Sequence, residues 1–120
     1  MGGKGFRQLQ VWQRSKALAV LVYKSTDSGR IVQDYGLRDQ MRRAAVSVCS
    51  NIAEGDERDS DRDSARFFSI AKGSLAELIT QIEIAGEIGY LSAEKTTELV
   101  RESEDIGKML GALIRARRQK

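Results

Sequence analysis

The chain of 120 residues carries 20 basic and 17 acidic side chains, no proline, no histidine and one cysteine. Without histidine there is no Ser-His-Asp or Cys-His catalytic pair and no usual His/Cys zinc site, and a single thiol forms no internal disulfide. No apolar run approaches the roughly 20 residues of a membrane span. The sequence therefore predicts a soluble, cytoplasmic, single-domain protein (residues 1–120) with no cofactor and with flexible basic ends at 1–7 and 116–120.

Hydrophobic periodicity predicts four helices. The first runs from Leu9 to Thr26. The second opens after Gly36 and ends at Gly55, and the third runs from Ser60 to Gly89. The fourth begins at Ser92, a good N-cap, as Ser60 is for the third helix. Because short turns make consecutive helices antiparallel, the expected fold is all-α, an up-down-up-down four-helix bundle.

Core residues recur at spacings of three and four on each of the later helices, as expected for faces that pack together. On the third helix the same spacing forms a heptad-like seam. The predicted core positions are Leu37, Met41, Ala44, Ala45, Val48 and Ile52 on the second helix, Phe68, Ala71, Leu75, Leu78, Ile82 and Ala85 on the third, and Leu99, Ile106, Leu110 and Leu113 on the fourth.

Several outward residues on the second and third helices suggest an oligomer interface. Ile70, Ile84 and Ile88 lie opposite the core seam, and an aligned apolar set favours an interface over chance exposure. A polar stripe on the second helix (Gln40, Arg43, Ser47, Asn51, Glu54 and Arg58) is either a contact surface, a solvated face or a set of polar groups satisfied inside the bundle. The candidate interface residues are Arg43, Ser47, Asn51, Glu54, Ile70, Gly73, Ser74, Glu77, Ile84 and Ile88.

Two smaller features accompany these stripes. Gly73 costs a helix about 1 kcal/mol relative to alanine, so a neighbour is expected to approach the backbone there closely. Val46, Cys49 and Ala53 form a second small apolar strip that suits packing against another helix or a neighbouring subunit. Cys49 itself is expected to be a small buried hydrophobe and not a reactive thiol.

Both ends of the chain are basic. Five basic residues and no acid precede Asp27, and four basic residues and no acid follow Ile114. In an up-down-up-down bundle these ends meet, and such a patch attracts phosphates, although the same charges also complement the dipole of the fourth helix and aid solubility. No aromatic RNA-reading motif accompanies them. The candidate nucleic-acid-binding residues are Arg7, Arg14, Lys16, Arg115, Arg117, Arg118 and Lys120.

Five short motifs identify a resemblance. They are FRQLQVW at 6–12, YGL at 35–37, QMRRAA at 40–45 followed by Ser47, NIAEG at 51–55, and AKGS at 71–74 followed by Glu77. With these motifs, in this order, the chain resembles the 23S ribosomal-RNA intervening-sequence proteins, a bacterial family of four-helix bundles. It departs from them in the first connection, where the family often carries a proline.

The resemblance implies a homo-oligomer, pentameric where the assembly is known, with no established enzymatic activity. It also implies a relation to the accessory variability determinant of diversity-generating retroelements, a bundle that binds nucleic acid and a reverse transcriptase. The leading interpretation is a non-enzymatic oligomeric interaction protein that binds RNA or DNA through basic surfaces. The alternatives are a retroelement accessory protein with a reverse transcriptase as partner, and a purely structural oligomer. An enzyme is least favoured, because carboxylates such as Glu54 and Glu77 have no visible partner group.

Overall fold

The computed structural model describes residues 5–119, and this part of the chain is almost entirely α-helical, without a strand. Short 3-10 turns at Phe6–Gln8 and Arg30–Gln33 precede the first and second helices. The predicted flexible ends fall partly outside these residues, and within them the last helix continues to Arg118. The helices are α1 Gln10–Ser25, α2 Tyr35–Asp56, α3 Asp61–Ile88 and α4 Ala93–Arg118.

Three helices begin at side-chain caps. The Ser60 hydroxyl accepts a hydrogen bond from the backbone N–H of Asp63, and the Ser92 hydroxyl accepts one from Lys95. Both caps are as the sequence predicts. At α2 the Asp34 carboxylate accepts from the N–H of Leu37 at 3.1 Å, so the helix starts at Tyr35 and not after Gly36. Each cap satisfies a backbone donor that would otherwise lack a partner.

The four helices pack as a closed square in which each contacts its neighbours along the chain and α1 contacts α4. The guanidinium of Arg14, early in α1, donates to Glu102 and to the sulfur of Met109, in the middle part of α4. Later residues of α1 (Ala17, Leu18 and Leu21) line a groove with residues at the start of α4 (Ala93, Glu94 and Thr97), so α1 and α4 run in opposite directions. The bundle measures 46 × 21 × 21 Å. The up-down-up-down four-helix bundle is thereby confirmed.

The predicted seams form the core. All six seam positions of α3 are buried, as are five of the six stripe positions of α2, with Leu37 partly exposed at its start. On α4 the buried set shifts by one residue at the end, where Ile114 is buried and Leu113 is only partly so. The largest side chains that are fully enclosed are Phe68, Leu18, Ile31, Met41, Ile52, Leu75, Leu78, Ile82, Leu99, Ile106, Leu110 and Val22.

The expectation that a neighbour approaches Gly73 is wrong within one chain, because a Cβ placed there would meet no atom within 4 Å. The close approaches are at two other glycines. A Cβ on Gly55 would lie 2.7 Å from Cε1 of Phe68, and one on Gly86 would lie 2.6 Å from Oγ1 of Thr96. Gly55 therefore lets α2 and α3 converge where they join, and Gly86 does the same for α3 and α4.

Candidate functional site

A line of polar side chains joins α2 to α3 on the outside of the bundle. The hydroxyls of Ser47 and Ser74 share a hydrogen bond of 2.8 Å. The Asn51 amide donates to the Ser47 hydroxyl at 3.0 Å and to the Ser47 carbonyl at 2.9 Å. Part of the predicted polar stripe is thus satisfied within the bundle, at the seam between two helices.

Beside this seam lies a shallow hollow of about 270 Å³, lined by Gln40, Arg43, Ala44, Ser47, Ser74 and Glu77. Arg43 and Glu77 are both exposed, and neither belongs to an ion pair among residues 5–119. The hollow therefore offers one cation and one anion, side by side, to whatever covers it.

Isoleucines flank the hollow along α3. Ile70, Ile84 and Ile88 are 42%, 45% and 47% exposed. Ile70 and Ile84 each lie seven residues from Glu77, which places all three on one side of the helix. We call this surface, defined by Arg43, Ser47, Ile70, Ser74, Glu77, Ile84 and Ile88, the α2–α3 face. It combines apolar ends with a polar centre.

The other three candidate interface residues, Asn51, Glu54 and Gly73, lie beside the α2–α3 face, and Asn51 is hydrogen-bonded to Ser47 of that face. Glu54 pairs with Arg58, just beyond the end of α2, so its charge is already compensated. Gly73 is exposed beside Ser74 and leaves open space above its backbone. The structure adds the Ser47–Ser74 hydrogen bond, which joins the α2 and α3 residues of this candidate surface.

A second exposed apolar surface lies on α1 and α2. Val20, Tyr23 and Val46 are 47%, 44% and 40% exposed. The Arg42 guanidinium stacks on the Tyr23 ring at 4.4 Å, which brings α1 beside the turn of α2 that carries Val46. We call Val20, Tyr23 and Val46 the α1–α2 face.

Cys49 lies at the edge of the α1–α2 face, one turn from Val46. Its thiol is partly buried and donates to the Val46 carbonyl at 3.4 Å. Burial raises the pKa of the Cys49 thiol, which lowers the thiolate fraction at neutral pH. The side chain therefore behaves as a packing residue, in keeping with the expectation from sequence.

Several of the predicted nucleic-acid-binding residues already have partners. Arg14 donates to Glu102 at 2.7 Å and contacts Asp105 at 3.5 Å, and Arg117 pairs with Asp56 at 3.6 Å. Neither acid pairing is visible in the sequence, because the partners come from distant helices.

The remaining basic candidates divide into two groups. Arg7 stacks on the Phe6 ring and Lys16 on the Trp12 ring, at 4.9 and 5.0 Å from the ring centres. Arg115 and Arg118 are exposed and belong to no ion pair within the described part of the chain. Lys120 lies outside the described residues.

Sequence reasoning missed two basic residues. Lys72 of α3 and Lys108 of α4 line a groove with Arg115, between the two helices and over Gly107 and Gly111. The sequence signal for this groove is the pair of glycines one turn apart on α4. Nothing in the sequence indicates that Lys72 faces them.

The described residues contain no cluster of three or more metal-ligating side chains. None of the four helices combines the length and the apolar character that crossing a membrane requires, within residues 5–119.

Three comparisons bear on this arrangement. A family model described as 23S rRNA-intervening sequence protein matches residues 7–112. A search of curated proteins finds no match. A solved structure from Bacteroides thetaiotaomicron, a protein of unknown function from the S23 ribosomal protein family, superposes with a TM-score of 0.81 at 23% identity, covering 87% of this chain and 97% of that one. At this identity the likeness shows the fold alone.

Proposed function

The chain belongs to the 23S rRNA-intervening sequence protein family, and from that premise we propose that it is a non-enzymatic interaction protein that assembles into a symmetric homo-oligomer through its α2–α3 face. The observation that carries the proposal is the alignment of Ile70, Ile84 and Ile88 around a hollow that holds Arg43 and Glu77 without partners. The apolar residues supply the attraction between copies. The charges fix how the copies are oriented.

The free energies of burial and association indicate whether the three isoleucines alone can hold an oligomer together. Complete burial of an isoleucine is worth about 1.5–3 kcal/mol, so the half that remains exposed is worth roughly 1 kcal/mol for each residue. Association costs at least about 4 kcal/mol in lost translational and rotational freedom. Three isoleucines alone therefore do not sustain an oligomer. The polar centre and a well-fitted opposing surface must also contribute.

The α1–α2 face is the opposing surface in a cyclic oligomer. A ring of five copies needs two different surfaces on each copy, since only two-fold contacts pair a surface with itself. Val20, Tyr23 and Val46 give this chain a second exposed apolar surface, separate from the isoleucines of α3. This pairing favours a ring over a two-fold dimer.

Assembly is tested by placing a charge at the centre of the isoleucine row. Light scattering of the unchanged protein at micromolar concentration should give an oligomer, of five copies for the proposed ring. Ile84→Glu should give mostly monomer, because an unpaired buried carboxylate costs about 3–5 kcal/mol, which exceeds a hundredfold in the dissociation constant. Thr97→Glu is the control: it places the same charge at an exposed position of α4, outside the α2–α3 face, and should leave the oligomer intact.

Val46→Glu separates the two symmetries. It should disrupt a ring in which the α1–α2 face is used, whereas a two-fold dimer through the α2–α3 face alone would survive it. An unchanged protein that runs as a monomer, or an Ile84→Glu variant that assembles normally, would contradict the proposal.

Nucleic-acid binding is the second candidate function. It is favoured by Arg115 and Arg118, which are exposed at the basic end of α4 and carry charges without acidic partners. Oligomerisation would repeat these charges around the assembly and strengthen the attraction for phosphates. An oligomer that binds no RNA or DNA at low salt would instead be the purely structural protein. If the protein binds nucleic acid and also co-purifies with a reverse transcriptase, that result would favour the retroelement accessory protein.

A further inference from the structure

The two sides of α4 carry opposite charge. The groove between α1 and α4 is lined by four acidic residues and one basic residue: Glu94, Glu98, Glu102, Asp105 and Arg101. On the opposite side, two adjoining grooves between α3 and α4 carry seven basic residues against three acidic ones. The basic residues are Arg62, Arg66, Lys72, Lys108, Arg115, Arg117 and Arg118, and the acidic ones are Asp61, Asp63 and Glu104.

The basic charges converge most closely over Gly111. The position of a Cβ on this glycine lies 3.6 Å from Nζ of Lys72 and 3.5 Å from Nη1 of Arg115. Lys108 lines the same groove. None of these three cations belongs to an ion pair among residues 5–119. Two like charges directed at one point repel each other, and an anion placed between them would remove that cost.

We propose that the α3–α4 groove, with Lys72, Lys108 and Arg115 as its contacts, binds the phosphate backbone of a nucleic acid strand. The proposal rests on the second candidate function above and assigns it a site that shares Arg115 with the basic chain end and adds Lys72 and Lys108. Because Gly107 and Gly111 have no side chains, the bottom of the groove leaves space for a phosphate between Lys72, Lys108 and Arg115. Glu104 is the one acidic residue that lines this groove, and its charge disfavours a phosphate beside it.

The shape and lining of the groove favour a strand over other anions. From Glu104 to Arg118, α4 extends about 20 Å at 1.5 Å per residue, which suits several successive phosphates better than a single one. Charged side chains and glycines line the part around Gly111, and three of its four charges are positive, which suits a polyanionic strand. No aromatic ring lines it for base stacking either, which predicts binding that depends little on sequence.

The test compares two triple variants of equal charge. Fluorescence anisotropy measures binding of a labelled single-stranded RNA of about 20 nucleotides between about 50 and 200 mM salt. The combination Lys72→Gln, Lys108→Gln and Arg115→Gln should raise Kd by about tenfold or more at low salt and reduce the salt slope by about 2. The control combination Lys24→Gln, Lys95→Gln and Arg101→Gln should change Kd by less than about threefold.

A single substitution tests the geometry without removing charge. Gly111→Leu fills the space between Lys72 and Arg115 and places a good helix former in α4, so Tm should not fall while RNA binding weakens. Normal binding by this variant would overturn the assigned site.

The remaining outcomes separate the proposals. RNA binding that Arg115→Gln weakens but that Lys72→Gln combined with Lys108→Gln leaves unchanged would overturn the groove and leave nucleic-acid binding at the chain ends. Absence of RNA and DNA binding at low salt would overturn both, with self-association untouched. Inorganic phosphate and poly-glutamate, added at equal charge, should compete with the labelled RNA less effectively than unlabelled RNA does. If either competes equally well, the groove does not select a nucleic acid backbone.

Discussion

Replacing Phe68 with alanine is expected to lower the free energy of unfolding by about 3–5 kcal/mol. The side chain is fully buried on the core seam of α3, and its ring lies against the backbone of Gly55. Arg117 stacks over the same ring at 5.3 Å while it pairs with Asp56. Loss of the ring would leave a cavity where three helices meet and would remove the support of that ion pair. The cost is a large fraction of the stability of a domain of this size.

Phe67 provides the matched control. It is the same residue type one position earlier, but it is only partly buried, with Arg58 and Arg66 stacked on its ring. Phe67→Ala should therefore cost clearly less than Phe68→Ala. Urea unfolding followed by circular dichroism measures both, at one protein concentration because the proposed assembly would add to the apparent stability. A cost below about 1 kcal/mol for Phe68→Ala would contradict the packing described here.

The fold was predictable because its determinants are local or periodic. The seam through Phe68 and Leu75 follows from spacing along one helix, and Ser60 and Ser92 cap their helices with residues three positions away. Asp34 caps α2 by the same rule, through the backbone N–H of Leu37 three positions away, although the sequence pattern placed the start of this helix after Gly36. The close approach at Gly55 depends on how two helices converge, which spacing along one helix does not specify.

The sequence predicts which residues share one side of a single helix, but it does not predict which residues of two helices meet to form a candidate surface. Ile70, Glu77 and Ile84 share a side of α3 by periodicity alone. The contact of Ser47 with Ser74 depends on the register between α2 and α3. The same limit explains the basic residues. Arg14 finds its acidic partner 88 positions away, and Lys72 meets Arg115 only because α3 and α4 align over Gly111.

Gly55 and Gly73 are expected to respond in opposite directions to the same substitution. Gly55→Leu should lower the free energy of unfolding by about 3 kcal/mol, because even its Cβ would lie 2.7 Å from the Phe68 ring and 3.1 Å from Cβ of Phe67. Gly73→Leu should raise the stability of the isolated chain by up to about 1 kcal/mol, since it replaces a helical glycine in open space. Measuring both in the Ile84→Glu background removes the contribution of assembly.

The effect of Gly73→Leu on assembly links the fold to the proposed function. Gly73 lies beside Ser74 at the edge of the α2–α3 face, where a leucine side chain would stand above the surface that we propose contacts a neighbouring copy. Overpacking such a contact costs about 1–3 kcal/mol, which weakens association by roughly 5- to 150-fold. A variant that is more stable as a monomer but assembles less well would explain why a costly glycine stands in the middle of α3. Unchanged assembly, measured by light scattering on dilution, would place the contact between copies elsewhere on the bundle.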